Sequence, residues 1–135
     1  MKAKAEPEAR TTRAKTVAYW ICTGLISASF LSGGIAYVLG VPKVVEGMTH
    51  LGYPVYFVTL LGVWKVLGAI ALLVPKYPLL KEWAYAGIIF DLTGATVSHA
   101  ATGDDLRHVL VPLVIAALAV ASWALRPPSR MLKRD

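Results

Sequence analysis

Four long apolar stretches constrain the fold of this chain more than any other feature. They cover residues 17–41, 55–74, 83–101 and 109–125 of the 135-residue sequence. A transmembrane helix needs ~20 mainly apolar residues, and each stretch meets that length. Only 16% of the residues are charged, against about 25% in a soluble domain. We therefore predict an all-α, polytopic membrane protein whose four transmembrane helices form a bundle.

The basic residues are distributed unevenly between the loops. Of the 14 lysines and arginines, all but three lie before the first stretch, between the second and third, or after the last. Only Lys43 and Arg107 lie in the other two loops, and Lys65 lies inside a stretch. The positive-inside rule then places both termini and the middle loop in the cytoplasm. We further expect the protein to lie in the inner (plasma) membrane. The net charge of +6 follows from this topology and indicates no nucleic-acid partner.

The sequence divides into three segments. Residues 1–15 form a basic leader that we predict to be mobile and cytoplasmic, because they are polar and terminal. Residues 16–126 form the transmembrane domain, and residues 127–135 form a basic cytoplasmic tail that contacts the lipid bilayer with the leader. Pro42 and the polar residues after it predict a short helix on the outer face.

Two charges lie inside apolar stretches. Lys65 and Asp91 are the only formally charged residues of 55–74 and 83–101. At 1.5 Å per residue, Lys65 lies ~16 Å from Pro54 and Asp91 lies ~12 Å from Trp83, so both are near the midplane. An ionisable residue at that depth marks function by default. We predict an ion pair that either anchors a ligand or holds the helices in register.

Small residues accompany both charges at helical spacing. Gly62 shares a face with Lys65, and Gly87 and Gly94 share a face with Asp91. Close approach at small residues supplies much of the energy of helix association in lipid. We expect these faces to be tightly packed.

A polar cluster is predicted at the outer surface, from Glu46, His50 and His99. Glu46 and His50 are four residues apart in the first outer loop, and His99 ends the third stretch. Histidine titrates near neutrality and can relay protons to a carboxylate. The spacing matches no zinc or haem signature, so no metal site is predicted. Solvated loop positions are expected for Asp104, Asp105 and His108.

Aromatic residues surround the start of the second stretch. Tyr53 and Trp64 are candidates for the wall of a site that stacks on a planar, membrane-soluble ligand such as a quinone. The alternative is an ordinary aromatic belt at the membrane interface.

Several segments resemble the DoxX-like family. They are VVEGMTHLGYP at 44–54, LGVWKVLGA at 61–69, KEWAYAG at 81–87 and GATVSH at 94–99, followed by Gly103 and Asp104. The resemblance extends from Tyr19 to about Leu125. It implies a four-helix membrane bundle, related to membrane subunits of thiosulfate:quinone oxidoreductases or to partners of thiol and superoxide detoxifying enzymes. It carries over no catalytic residues.

We therefore expect a quinone- or lipophile-binding membrane subunit that serves a redox enzyme. In this hypothesis Lys65 anchors the ligand head, Asp91 pairs with it or takes protons, and Glu46, His50 and His99 connect the site to the outer surface. Two alternatives stay open: a non-catalytic scaffold or accessory protein, and a small-solute or proton transporter. A homo-oligomer is compatible with all three, and an oligomer could supply the transport pathway.

Overall fold

Every regular element of the chain is helical in the computed structural model, which describes residues 2–133. The elements are α1 Lys2–Val38, α2 Pro42–His50, α3 Val55–Leu73, α4 Pro78–Thr102, α5 Leu106–Leu125 and a 3₁₀-helix Pro128–Arg130. The predicted all-α fold and the predicted short helix after Pro42 are confirmed. Residue 1 of the predicted leader and residues 134 and 135 of the predicted tail lie outside the described residues.

Three helices are long and apolar enough to cross a bilayer. They are α1 from Ala5 onward, α3 and α5, and they indicate a multi-pass membrane protein. The 25 residues of α4 correspond to about 37 Å at 1.5 Å per residue, but Asp91 and His99 lower its hydropathy. The predicted count of four spans and the cytoplasmic position of both termini therefore stay predictions.

The first helix begins well before the first apolar stretch. Because α1 runs without a break from Lys2 to Val38, the predicted leader continues directly into the first span as helix. The leader is rich in alanine, glutamate, lysine and arginine, which are strong helix formers despite their polarity. After α1 the chain turns at Gly40, whose φ of +64° is a conformation that glycine adopts without strain.

The four long helices pack side by side in a ring. Both α1 and α4 contact α3 and α5. Lys81 near the start of α4 bonds to Ala71 near the end of α3. Thr23, near the start of the apolar part of α1, lies against Ser122 near the end of α5. These contacts show that the neighbouring helices run in opposite directions.

The two ends of this ring carry different side chains. The basic end consists of the α3–α4 turn and the segment after α5, with Lys76, Lys81, Arg126 and Arg130. The histidine end consists of α2 and the α4–α5 turn, with His50, His99 and His108. Arg130 ties the chain after α5 to the basic end, because it donates hydrogen bonds to the carbonyl oxygens of Leu72 and Leu73.

Helices α1 and α3 touch through their backbones at two glycines. A Cβ atom at Gly34 would lie 2.9 Å from the Gly62 carbonyl oxygen, and one at Gly62 would lie 2.8 Å from the Gly34 carbonyl oxygen. The expectation of tight packing thus holds at Gly62. It was wrong for Gly87 and Gly94, where an added Cβ meets nothing within 4 Å. Gly87 instead lines a cavity.

The outer surface of the ring is apolar. Phe90 and Val114 are 73% and 61% exposed, whereas Ile26, Leu72 and Ala119 in the core are fully buried. A soluble monomer rarely leaves large apolar patches in contact with water. This apolar surface suits contact with lipid. The backbone of the helices is also compatible with lipid, because helices satisfy their backbone hydrogen bonds internally.

Candidate functional site

Lys65 and Asp91 meet in the middle of the ring, where α3 faces α4. The ammonium Nζ of Lys65 donates a hydrogen bond to Asp91 Oδ2 across 2.8 Å, and the two side chains keep 14% and 15% of their exposure. The same ammonium lies 4.3 Å from the ring centroid of Phe30 and 5.4 Å from that of Tyr37. Aromatic faces attract a cation. The positive charge of Lys65 is therefore stabilised by a carboxylate and two aromatic rings, while its side chain stays partly exposed.

A cavity of about 420 Å³ lies beside this ion pair, between α3 and α4. Small-molecule sites commonly have volumes of about 300–1,000 Å³. Lys65 and Asp91 are its only ionisable wall residues, and the remaining lining is apolar or aromatic. The aromatic lining residues are Phe30, Phe57, Trp64 and Trp83. Since Trp64 and Trp83 are also exposed on the outer surface, the cavity opens sideways toward lipid.

Two glycines keep this cavity open. Gly68 on α3 and Gly87 on α4 both line it, and a Cβ atom at either position meets nothing within 4 Å. Larger side chains at these positions therefore have space to enter the cavity without displacing backbone.

The two predicted wall residues occupy different places. Trp64 lines the cavity, whereas Tyr53 does not. The Tyr53 hydroxyl lies 2.7 Å from Ser98 Oγ, and its ring stacks on Phe57 with a centroid distance of 5.2 Å. Because Phe57 is a wall residue, Tyr53 supports the wall from behind and links the start of α3 to α4.

At the histidine end, Asp104 joins two histidines. His50 Nε2 and His99 Nδ1 each lie 2.7 Å from a different oxygen of the Asp104 carboxylate. An ionised carboxylate only accepts hydrogen bonds, so both histidine nitrogens donate. Hydrogen bonds from His50, and next from His99, hold the pKa of Asp104 below its usual value. The ring of His108 lies 5.5 Å from that of His99.

The sequence placed the wrong carboxylate in this cluster. Glu46 is exposed on α2, and its carboxylate makes no hydrogen bond or ion pair with the side chains of residues 5–133. Asp104, which the sequence left as a solvated loop residue, takes that position because Gly103 ends α4 in a left-handed conformation. The Asp104 amide then donates to the His99 carbonyl oxygen across 3.0 Å. A glycine just after a predicted helix is the sequence signal that could have located this turn.

A buried group of hydroxyls lies between the ion pair and the basic end. Ser122 Oγ lies 2.7 Å from Thr23 Oγ1 and 2.7 Å from the Tyr85 hydroxyl, and all three side chains are buried. Sequence reasoning missed this group, because isolated serine, threonine and tyrosine residues in apolar helices carry no distinctive pattern.

Among the side chains of residues 5–133, no three histidine, cysteine, aspartate or glutamate residues are grouped so that they could hold a metal ion. Asp104 and its two histidines are instead satisfied by each other.

The chain matches a known protein family. The model of a family described as the DoxX-like family matches residues 21–122. This interval contains α2, α3 and α4 entirely, together with the ion pair and the residues of the histidine end. No match was found among curated proteins or among solved structures.

Proposed function

This chain belongs to the DoxX-like family, and on that basis we propose that it binds a quinone or a similar lipophilic molecule as the membrane subunit of a redox system. The chain is a multi-pass membrane protein, with helices long and apolar enough to span a bilayer. The proposed binding site is the cavity between α3 and α4. The observation that carries the proposal is the composition of that cavity: one ion pair in an otherwise apolar and aromatic wall.

The cavity suits a quinone head in both polarity and shape. A quinone offers carbonyl oxygens that accept hydrogen bonds and a flat ring that stacks on aromatic side chains. Asp91 occupies one of the three N–H donors of the Lys65 ammonium, so the others are able to bind a ligand carbonyl. Trp64 and Phe57 supply aromatic faces. A long apolar tail would remain in lipid, because the cavity opens sideways.

Asp91 is the group in the cavity that can exchange protons with a bound ligand. From its level, α4 leads toward His99, which Asp104 connects to His50 at the exposed histidine end. We assign His99 and His50 to the outer connection of the site. Glu46 is left out of that connection, because no contact of its carboxylate joins it to these residues.

A non-catalytic scaffold is the competing function. The ion pair joins α3 to α4 beside a cavity, which is where a structural link between the two helices would be useful. Buried ion pairs seldom add net stability over apolar residues of similar size. In a scaffold it would not matter which of the two helices carries the positive charge, so exchanging Lys65 and Asp91 should preserve both stability and function.

We further propose four spans, with both termini on the cytoplasmic side of the inner (plasma) membrane. Helix α4 lies between α3 and α5, both of which are long enough to span, and its own length of 25 residues is sufficient. The basic end carries the lysines and arginines that favour the cytoplasm. A redox enzyme is the proposed partner, and a homo-oligomer is compatible with the apolar outer surface.

The proposal is tested by titrating the purified protein with a short-chain ubiquinone or menaquinone analogue. We expect saturable quenching of tryptophan fluorescence that is reduced in Trp64→Phe and largely lost in Trp64→Phe/Trp83→Phe, because both tryptophans line the cavity. The Gly87→Leu variant should abolish binding, because leucine occupies the cavity. Gly24→Leu is the matched control, since Gly24 also has open space around it but lies on α1 outside the cavity.

Two results together would establish the scaffold instead. One is the absence of quenching at saturating analogue in the wild-type protein. The other is full recovery of stability in the exchanged Lys65→Asp/Asp91→Lys protein.

A further inference from the structure

Buried polar side chains of α1, α4 and α5 form a row in the core of the ring, on the side of the basic end. We call this row the file. Tyr19, Thr23 and Ser27 follow one another at four-residue spacing, so they lie on one face of α1, and their exposures are 1%, 0% and 3%. Arg130 at the basic end donates to the Tyr19 hydroxyl across 3.4 Å. The proposed ligand site makes no use of this file.

The middle of the file is a continuous hydrogen-bonded chain. Thr23 contacts Ser122, and Ser122 contacts Tyr85, with both oxygen–oxygen distances at 2.7 Å. Each hydroxyl can donate and accept at once. A proton can therefore pass along the chain if each oxygen gains one O–H bond as it gives up another.

Ser27 lies on α1 between this chain and the level of the ion pair. Its Oγ is buried and has no hydrogen-bond partner among the described residues, although a serine in a helix usually bonds to a carbonyl oxygen one turn earlier. Phe30, whose ring lies 4.3 Å from the Lys65 ammonium, is three residues further along α1. Ser27 thus lies about 4.5 Å along the helix axis from the level of Phe30, with an unused hydroxyl.

On the opposite side of the ion pair, polar groups continue to the histidine end. Ser98 is seven residues after Asp91, which places it two turns further on the same face of α4, and it bonds to Tyr53. The next residue, His99, shares the Asp104 carboxylate with His50, whose side chain is 56% exposed.

We propose that the chain conducts protons between the two ends of the ring, with Asp91 as the central carrier and Ser27 as the link to the buried hydroxyls. Conduction would be a separate activity from ligand binding and would require no ligand. Each transfer forms one O–H or N–H bond and breaks another, so no oxidant or reductant takes part.

The experiment measures proton flux in liposomes that contain the purified protein and a trapped pH-sensitive dye, driven by a potassium diffusion potential with valinomycin. We expect flux with the wild-type protein and a fall to the protein-free level in both Ser27→Ala and Asp91→Asn. Ser27→Thr should restore flux, because it returns the hydroxyl. Ser32→Ala is the matched control, since Ser32 is an exposed serine on the same helix.

A purely structural role for Ser27 would appear as a lower melting temperature, whereas we expect the melting temperature of Ser27→Ala to be unchanged. Wild-type flux equal to that of protein-free liposomes, or Ser27→Ala flux equal to wild type, overturns the proposal. Quinone-analogue titration of Ser27→Ala should match that of wild type. Proton conduction and ligand binding can therefore fail independently.

Discussion

Two lysines of this protein lie inside the packed helices, and their surroundings differ. Lys81 is 1% exposed, and its ammonium donates to the carbonyl oxygens of Ala71 and Lys76, both at 2.9 Å, and to that of Val74. Lys65 bonds to one carboxylate at 2.8 Å and borders a cavity. Backbone carbonyl oxygens enclose the ammonium of Lys81, whereas the ammonium of Lys65 can exchange its carboxylate partner for a ligand in the cavity.

The difference separates structural from functional use of a buried charge. Backbone carbonyl oxygens do not titrate at any relevant pH and cannot swing away, so Lys81 fastens the α3–α4 turn. That turn contains Lys76 and Tyr77 with φ of +68° and +55°, a conformation that costs about 1–3 kcal/mol per non-glycine residue. A carboxylate such as Asp91 can take up a proton or release its partner to a ligand. Lys65 is therefore the lysine with functional potential.

The largest expected effect is on stability, in Lys81→Met. Methionine has a similar length but no donors, so three buried carbonyl oxygens lose a hydrogen bond. We expect a loss of about 3 kcal/mol and a lower melting temperature in detergent. Lys76→Met, in the same turn but exposed, should change stability by less than about 0.5 kcal/mol. Equal melting temperatures for the two variants would contradict the structural role of Lys81.

The second effect concerns the ion pair. Asp91→Asn leaves the Lys65 ammonium without a counter-charge. It should cost about 2 kcal/mol, less than for a fully buried pair, because both side chains keep part of their exposure. The double variant Lys65→Met/Asp91→Leu removes both charges and should recover most of that stability while losing all quinone-analogue binding. Thermal melting and fluorescence titration of the same samples separate the two outcomes. Binding by the double variant would show that the ion pair is not a ligand anchor.

A smaller effect is expected when each lysine is replaced by arginine. Lys65→Arg should be tolerated within about 1 kcal/mol, because a cavity adjoins the pair and arginine binds carboxylates well. Lys81→Arg should cost about 1–2 kcal/mol, because the larger guanidinium must enter a filled site. Equal melting temperatures for the two arginine variants would mean that both sites have the same room for a guanidinium group, contrary to this comparison.

The smallest effect on stability should come from Asp104 and its two histidines at the histidine end. Because the histidines lower the pKa of Asp104 in the folded protein, its carboxylate stabilises the fold above the unfolded pKa of about 3.9. This contribution is lost as the pH falls through the lower folded pKa. Melting temperatures of wild type and Asp104→Asn should therefore differ slightly near pH 5, and the difference should begin to shrink only below about pH 4. A difference that widens in acid would reverse the sign of this linkage.

The sequence predictions were accurate where a feature depends on neighbouring residues, and less accurate where it depends on contacts between distant parts of the chain. Helix class depends on local hydropathy, which the sequence displays directly, and the pairing of Lys65 with Asp91 follows from similar positions along consecutive antiparallel helices. The exact partner of His50 depends on the turn at Gly103, and a change of one residue there would move a different carboxylate into place. For that reason Glu46 was predicted where Asp104 lies.

By itself, the sequence determined that this chain is a helical membrane protein of the DoxX-like family, with two opposite charges inside its apolar stretches. Only the tertiary structure decided that α1 and α3 touch at Gly34 and Gly62, that Gly87 borders a cavity, and that Ser122 gathers buried hydroxyls. The physical reason is rotation. Hydropathy records how deep a residue lies along a helix, but which neighbour it faces depends on how each helix turns about its axis, and many weak contacts between helices set that angle together.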